Sequence, residues 1–167
     1  MVKVLVSACL LGEKVRYHGG DASCIHPLLD RWLAEGRIVR VCPEVAGGLP
    51  VPRPPAELQG GTGADVLTGK ARLTAISGVD VTDAFVAGAR LALERAHAEG
   101  VRLAVLKDGS PSCGTTVVHD GSFTGATRRG QGVAAALLVR AGIRIFSEHE
   151  LDEAGAYLDR LERQERV

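Results

Sequence analysis

The stretch Val2-Lys3-Val4-Leu5-Val6-Ser7-Ala8-Cys9-Leu10-Leu11-Gly12 decides how the rest of the chain is read. Residues 2–8 form a short apolar run rich in valine, without the polar alternation of a half-exposed strand. Such a run reads as a strand buried on both faces, the kind found in parallel sheets. It runs out into Cys9 and a glycine-containing turn. Two more strands, expected at 37–41 (RIVRV) and 101–106 (VRLAVL), end in the same way: Cys42 follows the first directly, and Cys113 lies in the loop after the second.

Helical patterns separate these strands. Residues 26–35 read as a helix, with Pro27 in its first turn and Gly36 ending it. Thr82 is expected to cap a helix that runs to about Glu99, with Asp83 in the first turn and Gly100 closing it. A helix at 131–140, a strand at 143–146 and a charged amphipathic helix at 149–165 complete the series. Pro43 to Gly63, with Pro43, Pro50, Pro52, Pro54 and Pro55, is expected to be irregular, residues 72–77 a short strand, and 116–124 a hairpin. Strands alternating with helices of ten or more residues imply right-handed crossovers. The expectation is a single Rossmann-like α/β domain over residues 1–167, with a mainly parallel sheet flanked by helices.

Composition narrows the function. The chain has 167 residues, enough to bury a core without disulfide staples. Basic and acidic residues balance at 20 each, whereas a general nucleic-acid binder shows a basic excess, so no polymeric nucleic acid is expected as partner. No apolar run approaches the length that spans a bilayer, and MVKVLVSACLLG lacks a small-x-small cleavage pattern, so a cytoplasmic location is expected. In that compartment cysteines serve metals or catalysis more readily than bridges.

The strand-end cysteines are the chemical clue. In an open parallel sheet the carboxyl ends of the strands face one crevice, where α/β proteins bind their ligands. Cys9, Cys42 and Cys113 therefore converge in space although they lie far apart in sequence. Three thiolates around an open position suit a metal or an iron–sulfur site. There is no C-x-x-C pair and no clustered ferredoxin run, so spacing alone does not choose between them. Cys24 lies in a polar loop and is read as a non-ligand, with a replaceable ligand or redox partner as the alternative.

Around these thiols stand candidate functional groups. Glu44, two residues past Cys42, is placed either to take a proton from water or to tie down its loop. Arg53, in the stiff VAGGLPVPRPP segment, either forks onto a carbonyl or carboxylate of a bound molecule or is solvated. Lys107-Asp108-Gly109-Ser110-Pro111-Ser112-Cys113-Gly114 holds two hydroxyls rigidly beside a cysteine; the same residues also suit an ordinary turn. Lys107 at a strand end either positions substrate or is merely exposed. GADVLTGKA has the wrong spacing for a phosphate loop, and GSPSCG is not a G-x-S-x-G elbow. A Cys113–His119–Asp120 nucleophile set exists on paper only.

SACLLG around Cys9, CPEVAGGLPVPRPP from Cys42 and KDGSPSCG up to Cys113, in that order over the whole chain, resemble the hallmark segments of the family catalogued as domain of unknown function 523. That family includes the thiouracil desulfurases. The resemblance implies a [4Fe–4S] cluster on Cys9, Cys42 and Cys113, with one iron free of protein ligands. It also implies catalytic roles for Glu44 and Ser110, with Arg53, Lys107 and Ser112 left as candidate substrate-binding residues. The implied activity removes sulfur from a thiolated nucleobase such as 2-thiouracil, giving uracil and sulfide without net redox change. Two rivals remain at this level: a three-cysteine zinc hydrolase, and a non-enzymatic iron–sulfur sensor or sulfide carrier.

Overall fold

A computed structural model describes residues 1–167. Four strands, β1 (Val4–Ser7), β2 (Ile38–Val41), β5 (Leu103–Leu106) and β8 (Arg144–Ser147), form one sheet in the order β2-β1-β5-β8. All three pairings are parallel; β1 sits between β2 and β5, with Val4 opposite both Ile38 and Leu103. Two other strand pairs, β3 (Ala56–Gln59) with β4 (Arg72–Ala75) and β6 (Val117–His119) with β7 (Thr127–Arg129), are antiparallel and lie outside the main sheet. The helices are α1 (Pro27–Ala34), one-turn α2 (Pro43–Ala46), α3 (Gly63–Leu67), α4 (Thr82–Ala98), α5 (Val133–Arg140) and α6 (Leu151–Glu165).

The alternation of side chains along the central strands makes three layers. Val4, Val6, Leu103 and Val105 point to one face and pack with Leu29 and Trp32 of α1 and with Leu151, Leu158 and Leu161 of α6. Leu5, Val39, Val41, Ala104 and Leu106 point to the other, against Ala92 and Ala96 of α4 and Ala135 and Leu138 of α5. The two middle strands, β1 and β5, are fully buried because helices cover both faces, whereas the edge strands β2 and β8 carry the exposed Arg40 and Arg144. A third core, around Leu58, Leu73, Phe85, Val118 and Val133, glues the β3–β4 hairpin and β6 to α4 and α5. That places the two small hairpins beside the carboxyl ends of β1, β2 and β5.

Three expectations need correcting. The Pro-rich stretch is not irregular throughout, since it contains α2 and β3. Strand β3 is hard to read because four residues between Pro54-Pro55 and Gly60-Gly61 carry no periodic signal, and only pairing with β4 defines it. The second hairpin turns at 120–126, so its return strand lies beyond 124; Thr127–Arg129 are exposed and show no apolar pattern. Thr82 is the first residue of α4 and not its cap, which is Val81. The Asp80 carboxylate accepts the Thr82 amide at 2.9 Å, freeing the Thr82 hydroxyl to accept the Leu73 amide at 2.9 Å. Thus Thr82 ties α4 to β4 instead of closing the helix end.

Candidate active site

Each strand end contributes one thiol. After β1 the chain tightens into a 3-10 turn, Ala8–Leu11, which carries Cys9 and ends at Gly12 in the left-handed region (φ 90°). Cys42 follows β2 and caps α2, whose first residue is Pro43. Cys113 is reached from β5 through a loop in which Asp108 accepts the amides of Gly109, Thr115, Thr116 and Val117 and the Thr116 hydroxyl. All three cysteines are free and line one cavity of about 480 Å³. Cys24 is not in that lining; its thiol lies 4.0 Å from the Glu148 carbonyl.

A close backbone contact sets the position of α2. A Cβ on Gly88 of α4 would stand 1.8 Å from the Pro43 carbonyl oxygen, and one on Gly47 would stand 2.0 Å from that of Ala84. Only paired glycines let α2 sit against α4 at this separation. Cys42 and Glu44 are therefore presented by a turn seated on the longest helix.

Glu44 is gripped on both oxygens. Arg53 reaches Oε1 through Nε and Nη2, each at 3.1 Å, and also donates to the carbonyls of Pro50 (3.1 Å) and Val15 (2.9 Å). The Ser112 hydroxyl donates to Oε2 at 2.8 Å. Ser110 Oγ accepts the amides of Ser112 (3.2 Å) and Cys113 (3.1 Å) and lies 3.0 Å from Ser112 Oγ. With its acceptor side filled, the Ser110 hydroxyl proton points toward Ser112 Oγ or, at 3.5 Å, Glu44 Oε2. A chain Ser110–Ser112–Glu44 results, with Ser112 buried and Ser110 on the cavity.

Two of the cavity's cations, Arg53 and Lys107, are already engaged. Arg53 holds Glu44, with only 5% of its side chain exposed. Lys107 Nζ donates to the Asp108 carbonyl and to Glu148 Oε2, both at 2.9 Å. Both residues line the cavity, but each is held by a carboxylate of the protein. Arg16, Tyr17, Glu57, His119 and Phe123 also line it and carry no sequence signal, because loops and hairpins distant along the chain bring them there. His119 does not complete a nucleophile set: nothing bonds it to Cys113, and its Nδ1 is buried without a partner.

Burial raises the pKa of all three thiols. Cys9 is pushed to about 11, chiefly by desolvation, with Arg16 opposing and Cys42 adding to the rise. Cys113 is pushed to about 12 by burial, against the hydroxyls of Ser7 and Ser112, with Cys9 and Cys42 adding. Cys42 moves up for the same first reason, the Val45 amide working against it. Cys9 and Cys113 thus feel the charge of neighbouring thiols, and Cys42 that of Glu44, so three thiolates coexist here only beside a strong positive centre. No three His, Cys, Asp or Glu side chains are grouped tightly enough to hold a single metal ion. A soft donor set spread around a roomy cavity fits a polynuclear centre.

The family model for 2-thiouracil desulfurase matches residues 4–150. The chain belongs to the 2-thiouracil desulfurase family. It is 44% identical over 152 residues to the uncharacterised protein YbbK of Bacillus subtilis (strain 168), covering 90% of this chain and 98% of that protein. Among solved structures it is similar to the [4Fe–4S]-dependent thiouracil desulfidase TudS, with a TM-score of 0.88 and 47% identity over 95% of this chain and 99% of that one. The family match spans all three cysteines, Glu44 and both loop serines, and the α/β fold with its parallel four-stranded sheet is shared with TudS.

Proposed function

We propose that residues 1–167 act as one desulfurase domain, holding a [4Fe–4S] cluster on Cys9, Cys42 and Cys113 and converting a thiolated nucleobase such as 2-thiouracil into uracil and sulfide. The observation that carries the reading is the convergence of three thiols and a doubly held carboxylate on one cavity, in a chain of this family. Bound there, the cluster supplies a sulfur-seeking Lewis acid at an iron that no fourth side chain ligates. Membership of the 2-thiouracil desulfurase family and the likeness to the [4Fe–4S]-dependent TudS favour this centre over a single zinc.

The protein's own groups then do acid–base work. The overall change replaces C=S by C=O, consumes one water and releases hydrogen sulfide, so no electrons enter or leave. Glu44 takes the proton of the water that adds to the thiocarbonyl carbon. Arg53 keeps Oε1 occupied, so that proton goes to Oε2, where Ser112 stands. Ser110, on the cavity side of Ser112, orients the substrate and passes protons along the hydroxyl pair. Arg53 acts through Glu44, and Lys107 through the Asp108–Glu148 side of the loop.

No helix is long and apolar enough to cross a membrane. Free thiols and a cluster of this kind fit the reducing cytoplasm. The test is anaerobic reconstitution of wild type, Glu44→Ala and Ser110→Ala, with iron content and sulfide release from 2-thiouracil measured together. Loss of a general acid–base group lowers turnover by about 10²-fold or more at unchanged iron content. Unchanged turnover in both variants overturns the assigned roles.

A further inference from the structure

Phe123 is the only residue other than glycine with positive φ, at 56°. An aromatic side chain is disfavoured in the left-handed region, and such strain persists only where the surroundings impose it. Here they do. The Phe123 and Gly121 amides both donate to Glu57 Oε1, at 3.2 and 2.9 Å, and Gln59 Nε2 donates to the Gly121 carbonyl at 2.8 Å. Gly121 (φ 95°) lies so close to β3 that a Cβ would stand 2.6 Å from the Leu58 carbonyl oxygen. The tip of the β6–β7 hairpin is thus pinned to β3 by a carboxylate only 8% exposed, with no cation beside it.

The pinned ring is not core material. Phe123 is half-buried, belongs to none of the three apolar cores, and lines the cavity that the cysteines line. The other large aromatic there, Tyr17, sits edge-on to His18 with ring centroids 4.9 Å apart. Resting on the desulfurase reading above, we infer that Phe123 stacks on the planar ring of the thionucleobase, making it the residue that selects a heterocyclic thione, and that Glu57 is the positioning residue that holds it there. An aromatic face recognises a flat π-system without reading its exocyclic groups, and one such stack is of the size that alanine substitution measures readily.

The test uses anaerobically reconstituted protein, with iron content as the check on folding. In Phe123→Ala, the KM for 2-thiouracil and the inhibition constant of the product uracil both rise about ten-fold, while kcat and iron stay within about two-fold. Phe123→Tyr restores both constants. Glu57→Ala reproduces the Phe123→Ala pattern, and Glu57→Gln, which keeps the accepting oxygen, rescues it. Should Phe123→Ala lose iron, Phe123→Leu, apolar but without an aromatic face, carries the same comparison. Unchanged KM and inhibition constants in the Phe123 variants overturn the stacking role, and a Glu57→Gln that behaves like Glu57→Ala overturns the positioning role. Wild-type protein that loads iron but releases no sulfide overturns the desulfurase reading and this one with it.

Discussion

Replacing Gly88 by Ala tests whether the backbone contact between α4 and α2 places the chemistry. The added Cβ would stand 1.8 Å from the Pro43 carbonyl oxygen, where about 3.2 Å is the least a carbon and an oxygen tolerate, so α2 has to retreat by roughly 1.4 Å. The obstacle is backbone, so no rotamer relieves it. Helix propensity favours Ala over Gly by about 1 kcal/mol, but overpacking costs about 1–3 kcal/mol and here falls on a rigid pair. The net loss, up to about 2 kcal/mol, lowers Tm by as much as about 4–8 °C in a chain of this size. The activity loss is larger, because α2 carries Glu44 and is capped by Cys42. A displacement of about 1 Å at reacting groups costs about 10²-fold. The assay is thermal unfolding, iron content and sulfide release on the anaerobically reconstituted variant. Gly155→Ala is the control: its Cβ meets only the Leu28 side chain at 2.8 Å, on the sheet face opposite α4, and a flexible leucine tip moves aside cheaply. Gly88→Ala with wild-type Tm, iron and turnover refutes the reasoning.

Other outcomes follow from neighbouring residues. Cys24→Ala leaves iron, sulfide content and turnover unchanged, since its thiol lies outside the cavity lining; loss of cluster would refute this placement. Arg53→Lys cannot span Glu44 and the carbonyls of Pro50 and Val15 together, so it lowers both kcat and Tm, at a cost of about 1–3 kcal/mol. Asp108 links the loop to acid stability. Burial alone raises its pKa, but the Thr116 hydroxyl and the amides of Thr116, Val117 and Thr115 outweigh that and lower it from 3.8 to about 2. A depressed carboxylate stabilises fully above its unfolded pKa and loses that contribution as pH falls through the folded value. Asp108→Asn is therefore less stable than wild type near neutrality, and the gap in Tm closes between about pH 5 and pH 2. A gap that stays constant over that range contradicts the assignment.

What the sequence made legible follows physical lines. Strands β1 and β5 are readable because burial on both faces leaves continuous apolar runs, β2 because branched apolar residues follow a closing glycine although Arg40 interrupts them, and helices α1, α4 and α6 because their turns and ends carry proline, glycine and acidic signals. Cys9, Cys42 and Cys113 become a set once those strands are known to be parallel, since parallel strands end at one edge. Ser110, Ser112 and Glu44 ride on the same loops. Strand β3 and the exposed β7 exist through pairing, which leaves little mark on four residues or three. Phe123 and Glu57 meet at the cavity only because one hairpin docks on another. The partners of Arg53 and Lys107 were not visible either: a basic residue at a strand end looks free until its carboxylate is placed.

The most direct measurement is iron, sulfide and zinc content of the anaerobically reconstituted wild-type protein, followed by product analysis with 2-thiouracil. The account predicts a coloured protein with about four iron per chain that releases uracil and sulfide in equal amounts. A colourless protein carrying stoichiometric zinc under those conditions, or a cluster-loaded protein that leaves 2-thiouracil intact, would contradict it.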